Sequence, residues 1–210
     1  MSIEFTDIDW RGRRVRLEYA WGGAPAAESV MGFLHEGLGS LSMWKDFPAQ
    51  LCQALGCRGL VYSRPGYGAS SPRPPGDAWA PDFMHRQAHE VLPALLEALG
   101  VDTQRQRLWL FGHSDGGSIS LLYAARFAAS VAGLVVLAPH ILVEEISLRS
   151  IAQVRDVYLK TDLRQRLARY HDDPDSAFWG WNDIWLHPSF RNWSIEAELM
   201  SIQAPVLAVQ

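Results

Sequence analysis

Leu108-Trp109-Leu110-Phe111-Gly112-His113-Ser114-Asp115-Gly116-Gly117 is the stretch on which the architecture turns. Its first half is a strand-like apolar run, and residues 116–127 beyond it are small and apolar, as a buried helix would be. A strand therefore passes into a helix through one sharp corner at Ser114. Such a corner strains the backbone of its central residue and leaves no room for side chains two positions to either side. Those positions are Gly112 and Gly116. The serine oxygen is then held out over the sheet edge. The amide of Asp115 falls at a helix N-terminus, where unpaired N–H groups favour negative charge. A serine capping a helix would also suit the residue type, and the rest of the chain has to decide between the two.

Outward from this corner, strand and helix patterns alternate. Residues 3–10 and 14–21 flank an Arg11-Gly12-Arg13 turn. Val15, Leu17 and Tyr19 alternate with Arg14, Arg16 and Glu18, the pattern of a hairpin with one buried face. Short apolar runs at 30–34, 60–62, 107–111 and 134–137 predict further strands. Helical spacing marks 44–55, 82–99 (bent at Pro93) and 116–127. The run 134–137 has no alternation, as expected of a strand covered on both faces. This order predicts an α/β fold with a mostly parallel sheet between helices. After Pro139 the composition changes. Residues 140–201 are helical, charged and rich in tryptophan (Trp179, Trp181, Trp185, Trp193), and Pro205-Val206-Leu207-Ala208-Val209 returns to a buried-strand pattern. The expected organisation is a core over 1–139, a helical excursion over 140–201, and a return to the sheet over 202–210.

With 48% hydrophobic and 20% charged residues, the chain can bury a core and is not disordered. Its net charge of −4 argues against a general nucleic-acid binder. Cys52 and Cys57 make no disulfide framework and suit a reducing compartment. The first residues carry no basic-then-apolar leader, and no run of about 18 apolar residues exists. A cytoplasmic protein with no membrane partner is expected.

Two more loops bear on Ser114. His35-Glu36-Gly37-Leu38-Gly39 follows an earlier strand at the same sheet end, and Arg64-Pro65-Gly66-Tyr67-Gly68-Ala69-Ser70 follows the intervening one. With Gly112-His113-Ser114-Asp115-Gly116-Gly117 they resemble, in this order, the three motif loops of the α/β-hydrolase superfamily, specifically its esterase-like and acyltransferase-like members with a helical cap. The resemblance spans essentially the whole chain. It implies a nucleophilic Ser114, oxyanion-binding amides at Gly37 and Asp115, a cap at 140–201, a small-molecule substrate, and no cofactor or metal. Glu36 stands where the family usually has glycine, which leaves Gly37 and Leu38 both open as the first donor. Ser63-Arg64 replaces the acidic residue common before the Pro-Gly turn.

A serine needs a base, normally a histidine oriented by a carboxylate. In this fold the chain order is serine, acid, histidine. The family acid follows the strand after the cap and the histidine follows the last strand. The strand after the cap is expected at 206–209, so a C-terminally truncated domain is expected, nearly inactive alone, with the triad acid and histidine beyond Gln210. Among the seven histidines, His35 and His113 lie inside motifs, and His85 and His89 share a helix face without a third metal ligand. His171 and His187 read as surface or packing residues. His140 is expected to line the substrate pocket, or to stand in as base with Glu144 or Glu145 as orienter. Trp181 is expected in the pocket wall, and the tryptophans equally suit an aromatic wall or a glue between cap and core. Arg64 and Arg73, near the same edge, read as solvated loop residues, with contact to a substrate carboxylate as the alternative. Cleavage of a carboxylic ester or lactone of a hydrophobic or aromatic substrate is the expected reaction. Carbon–carbon bond hydrolysis and a silent ligand-binding role are the alternatives.

Overall fold

The computed structural model describes residues 1–74 and 76–210. Its seven-stranded sheet comprises β1 (Ile3–Trp10), β2 (Arg13–Gly23), β3 (Ser29–Leu34), β4 (Arg58–Tyr62), β5 (Arg107–His113), β6 (Gly133–Leu137) and β7 (Val206–Val209). They lie in the order β1-β2-β4-β3-β5-β6-β7. β1 and β2 are antiparallel, β2 is antiparallel to β4, and all pairs from β4 to β7 are parallel. The hairpin closes through Arg11 and Gly12, both at positive φ (58° and 73°), a two-residue turn whose twist matches its strands.

Helices cover both faces. α1 (Phe47–Leu55) brings Cys52 against Met31, Phe33 and Phe111 on one face. On the other, α2 (Phe83–Arg86), α3 (Leu92–Ala98) and α4 (Asp115–Arg126) bury Met84, Leu95 and Leu122 against Leu34, Leu108 and Val136. The helix expected over 82–99 is one continuous run whose middle, Gln87–Val91, is π-helical. Pro93 has no N–H to return to His89 and its ring crowds that carbonyl, so the turn before it widens. The helix expected from Trp44 is broken instead: Leu41–Trp44 is a 3-10 turn, and Lys45 at φ 53° separates it from α1.

Two strand expectations need correcting. Glu18, placed on the polar face of β2, is 4% exposed. Beyond Arg16 that face lies under the loop after β4. There the Ser63 hydroxyl donates to the Glu18 carboxylate and the Glu18 amide donates to Ser70 Oγ at 2.9 Å. β7 pairs with β6 in register (Leu137 opposite Val209), but its side chains are exposed rather than buried, Leu207 by 59%.

Between β6 and β7 the chain passes through α5 (Glu145–Lys160), α6 (Leu163–Leu167), α7 (Pro174–Leu186) and α8 (Glu196–Leu199). Tyr158, Leu167 and Phe178 form a small core there, with Tyr158 and Phe178 stacked at 3.6 Å, and Leu38 packs against it. Trp185 and Trp193 instead join the main core around Phe190. No helix among the described residues is long and apolar enough to cross a membrane.

Candidate active site

The parallel register aligns the C-terminal ends of three strands, with Leu34 opposite Gly112 and His113 opposite Leu137. At this edge the chain turns from β5 into α4 through Ser114, whose φ of 51° and ψ of −119° lie outside the ordinary regions. Ser114 occupies the N-cap position but makes no capping bond with its side chain. Its amide donates to Leu137 O at 2.8 Å, and its Oγ lies 3.3 Å from His140 Nε2. The flanking glycines are required by space. A Cβ on Gly112 would collide with the Gly116 carbonyl, and one on Gly116 would collide with the Leu34 carbonyl. The corner is thus pressed directly onto the end of β3, which brings it beside the loop from His35 to Gly39.

His140 is aimed by the turn after β6. Ala138 takes φ 43°, Pro139 follows, and Ser118 Oγ both accepts the His140 N–H (3.0 Å) and donates to its carbonyl (2.6 Å). The Trp185 ring lies 4.7 Å from the imidazole, edge to face. Neither Glu144 nor Glu145 is hydrogen-bonded to it; Glu145 pairs with Arg191 and is exposed. Ser114 and His140 are brought together, therefore, without the carboxylate partner considered from sequence.

The His35 loop is held from three sides. His35 is fully buried, and burial first, then the charge of Arg64, holds its imidazole well below the usual histidine range. Its hydrogen bonds assign the neutral Nδ1–H tautomer: Nδ1 donates to Glu36 O at 2.7 Å, and Nε2 accepts the Arg64 amide at 3.1 Å. Gly39 N–H also reaches Glu36 O, at 3.1 Å. The Glu36 carboxylate folds back over Gly39 and pairs with His113 at 3.7 Å. Burial pushes that carboxyl up, but pairing with His113, its own backbone amide and the Arg64 charge outweigh it and hold it low; the same pairing raises His113. Trp181 of α7 covers Gly37 closely enough that a Cβ there would strike its indole. The expected site residues Gly37, Ser114, Asp115, His140 and Trp181 thus gather at one sheet edge.

Two residues at this edge carry more than their sequence reading allowed. Arg64, read as solvated, is 1% exposed; its Nη2 donates to Glu36 O at 2.8 Å, and Nη1 stands 3.9 Å from the Asp115 carboxylate. Its sequence signal is position: it follows a buried strand with only Ser63 between. His171, read as a surface or packing residue, is 3% exposed; it donates from Nε2 to Leu38 O (3.0 Å) and accepts the Gly68 N–H on Nδ1 (2.9 Å), tying two motif loops to residues 140–201. Nothing in its polar neighbourhood announces that role. Arg73 lines a separate cavity of about 470 Å³ with Trp10, Trp79 and Gln87, away from Ser114. Among the described residues no cluster of three or more ligating side chains could hold a metal.

A mostly parallel sheet flanked by helices, with a positive-φ serine between crowded glycines at the end of β5, is the construction of an α/β hydrolase. The chain belongs to that family: the alpha/beta hydrolase fold model matches residues 30–198. None of the curated proteins matches its sequence. Among solved structures it resembles a probable hydrolytic enzyme from Pseudomonas aeruginosa PAO1, with 19% identity, TM-score 0.71, and coverage of 99% of this chain and 72% of that one. A structure from work on carboxylesterases of the thaumarchaeon Nitrososphaera gargenis is similar (18%, TM-score 0.72, 97% and 79%). So is a thermophilic esterase from Thermogutta terrifontis with malate bound (17%, TM-score 0.69, 98% and 79%). At these identities the likeness is one of fold.

Proposed function

We propose that the protein is a serine hydrolase that cleaves a carboxylic ester or lactone of a small hydrophobic or aromatic substrate through an acyl-enzyme on Ser114. The observation that carries this reading is Ser114 itself: a strained residue at a helix start whose hydroxyl caps nothing and faces an imidazole. Ser114 Oγ attacks the substrate carbonyl carbon and gives its proton to a histidine. The new oxyanion accepts N–H groups from Gly37 and Asp115, the alcohol leaves with the proton, and water then releases the acid. The Asp115 amide, first in α4, has no acceptor within its helix. Residues 140–201 act as a cap, with Trp181 over Gly37 and His140 beside Ser114 lining the acyl pocket. The esterase structures of like fold favour acyl transfer over carbon–carbon cleavage.

In the family's chain order the triad acid and histidine follow the strand corresponding to β7, and we assign neither within residues 1–210. One observation favours a second reading for the base: His140 Nε2 is the imidazole nitrogen 3.3 Å from Ser114 Oγ.

Protein expressed from its full coding sequence is to be given short-chain p-nitrophenyl esters. We expect Ser114→Ala to abolish turnover; equal rates for the two proteins overturn the hydrolase reading and leave the silent ligand-binding role. If His140 only lines the pocket, His140→Ala lowers kcat less than about tenfold. If it is the base, the loss is about 100-fold or more and the pH–rate profile loses its acid limb.

A further inference from the structure

Arg64 is a buried cation at this edge that the proposed acyl-transfer steps do not use. We propose that it is the positioning residue of the oxyanion site: one guanidinium fixes both peptide groups that receive the substrate oxygen. The inference rests on the Ser114 reading and adds to it a residue that touches neither the nucleophile nor the substrate.

The first peptide is Glu36–Gly37. Its carbonyl oxygen collects Arg64 Nη2–H at 2.8 Å, His35 Nδ1–H at 2.7 Å and Gly39 N–H at 3.1 Å. No peptide bond in the described chain is cis, and in a trans peptide the C=O and N–H point to opposite sides. With the oxygen fixed toward buried His35 and Arg64, the Gly37 N–H points to the side opposite them. The Leu38–Gly39 peptide is fixed as well, its carbonyl bonded to His171 and its Gly39 N–H committed to Glu36 O. Of the two amides left open by the sequence, Gly37 is the one whose own peptide is anchored by Arg64 and His35, and we take it as the first donor.

The second peptide belongs to Asp115. Its carboxylate is 1% exposed and makes no close hydrogen bond, with the Trp185 indole N–H and the Arg64 guanidinium as the donors that face it. Burial pushes that carboxyl up, against the opposing charges of Arg64 and His140. The Arg64 guanidinium at 3.9 Å is its facing cation, so the residue that opens α4 is drawn toward the charge that holds the Glu36 carbonyl. At 3.9 Å the pair is not a close fork, and much of the cation's field remains uncancelled beside the N-terminus of α4. His35 adds no opposing charge, because it is neutral. The Tyr67 ring, 4.7 Å from the guanidinium carbon, closes the remaining face. A planar fork can reach a carbonyl on one side and a carboxylate on the other; a single ammonium cannot.

The test compares wild type, Arg64→Met and Arg64→Lys, with Ser114→Ala as reference. Three quantities are measured: the labelling rate of Ser114 by a fluorophosphonate, kcat and KM for p-nitrophenyl butyrate, and affinity for a trifluoromethyl ketone whose adduct carries an oxyanion. For folded Arg64→Met we expect kcat and labelling to fall about 100-fold, the scale of losing an oxyanion donor. Ketone affinity should fall in parallel while KM stays within about twofold. Arg64→Lys, which keeps the charge, should recover less than about tenfold of that loss. If Arg64→Met fails to fold, Arg64→Lys decides alone, since the proposal requires it to remain at least about tenfold slow. Wild-type rates in either folded variant, or a loss confined to KM, overturn the positioning role and leave Ser114 untouched. Equal labelling of wild type and Ser114→Ala overturns the underlying hydrolase reading instead.

Discussion

The Leu34 carbonyl decides what residue 116 can be. A Cβ at Gly116 would meet that backbone oxygen, which cannot move without shifting the end of β3. Gly116→Ala is expected to destabilise the fold by about 3 kcal/mol, the upper range for overpacking against a rigid neighbour. Gly100 serves as the contrast: it sits at φ 67° with nothing within 4 Å, so Gly100→Ala costs only left-handed strain, about 1 kcal/mol. Urea midpoints of the two variants test this, and a smaller shift for Gly116→Ala than for Gly100→Ala would refute it. At this scale the sequence was readable where a residue type answers to local geometry, as the glycines around Ser114 do. It was silent on Arg64 because a loop arginine is ordinarily solvated. Only partners brought in by folding, Glu36 and Asp115, make its burial tolerable.

Elements followed their patterns except where one residue's backbone overrode the hydrophobic spacing. Trp44, Phe47, Leu51 and Leu55 have helical spacing, but Lys45 takes φ 53° and ψ −128° and breaks the run into a 3-10 turn and α1. The spacing could not show this, since lysine is a fair helix former. Nothing in the structure gives exposed Lys45 a reason for that conformation, so Lys45→Gly should relieve strain and stabilise by about 1 kcal/mol. Thermal unfolding measures it, and a lower Tm would count against strain at Lys45. In 82–99 the run continues through Pro93, and the turn before the proline is the one that widens. The tryptophans of 140–201 divide along the same lines, Trp185 and Trp193 serving the core while Trp181 reaches the motif loop. Spacing places residues on a face; it does not say which neighbour the face will meet.

For the molecule as a whole, the α/β order and the Ser114 edge were legible because buried parallel strands read as unbroken apolar runs. The links between distant segments were not legible, and two of them set the response to acid. His35 and His171 are neutral in the fold, their imidazoles lowered chiefly by burial. In the unfolded chain both take up protons near pH 6.5. The unfolded state therefore binds more protons as pH falls below 6.5, and each histidine removes up to about 1.4 kcal/mol of stability per pH unit until its folded value is reached. His113, raised by Glu36, works in the opposite sense, but that pair is partly exposed and its effect is small. Stability should drop between pH 7.5 and 5.5, and His171→Gln should flatten the slope; an unchanged slope would remove His171 from the account. The sheet order has a consequence for synthesis as well. β6 and β7 are neighbours in space, yet all of residues 138–205 lie between them in the chain. At ribosomal rates of about 5–20 residues per second, one edge of β6 waits roughly 3–14 s for its partner strand. During that interval one edge of β6 has no strand to pair with and stands open to contact with neighbouring nascent chains.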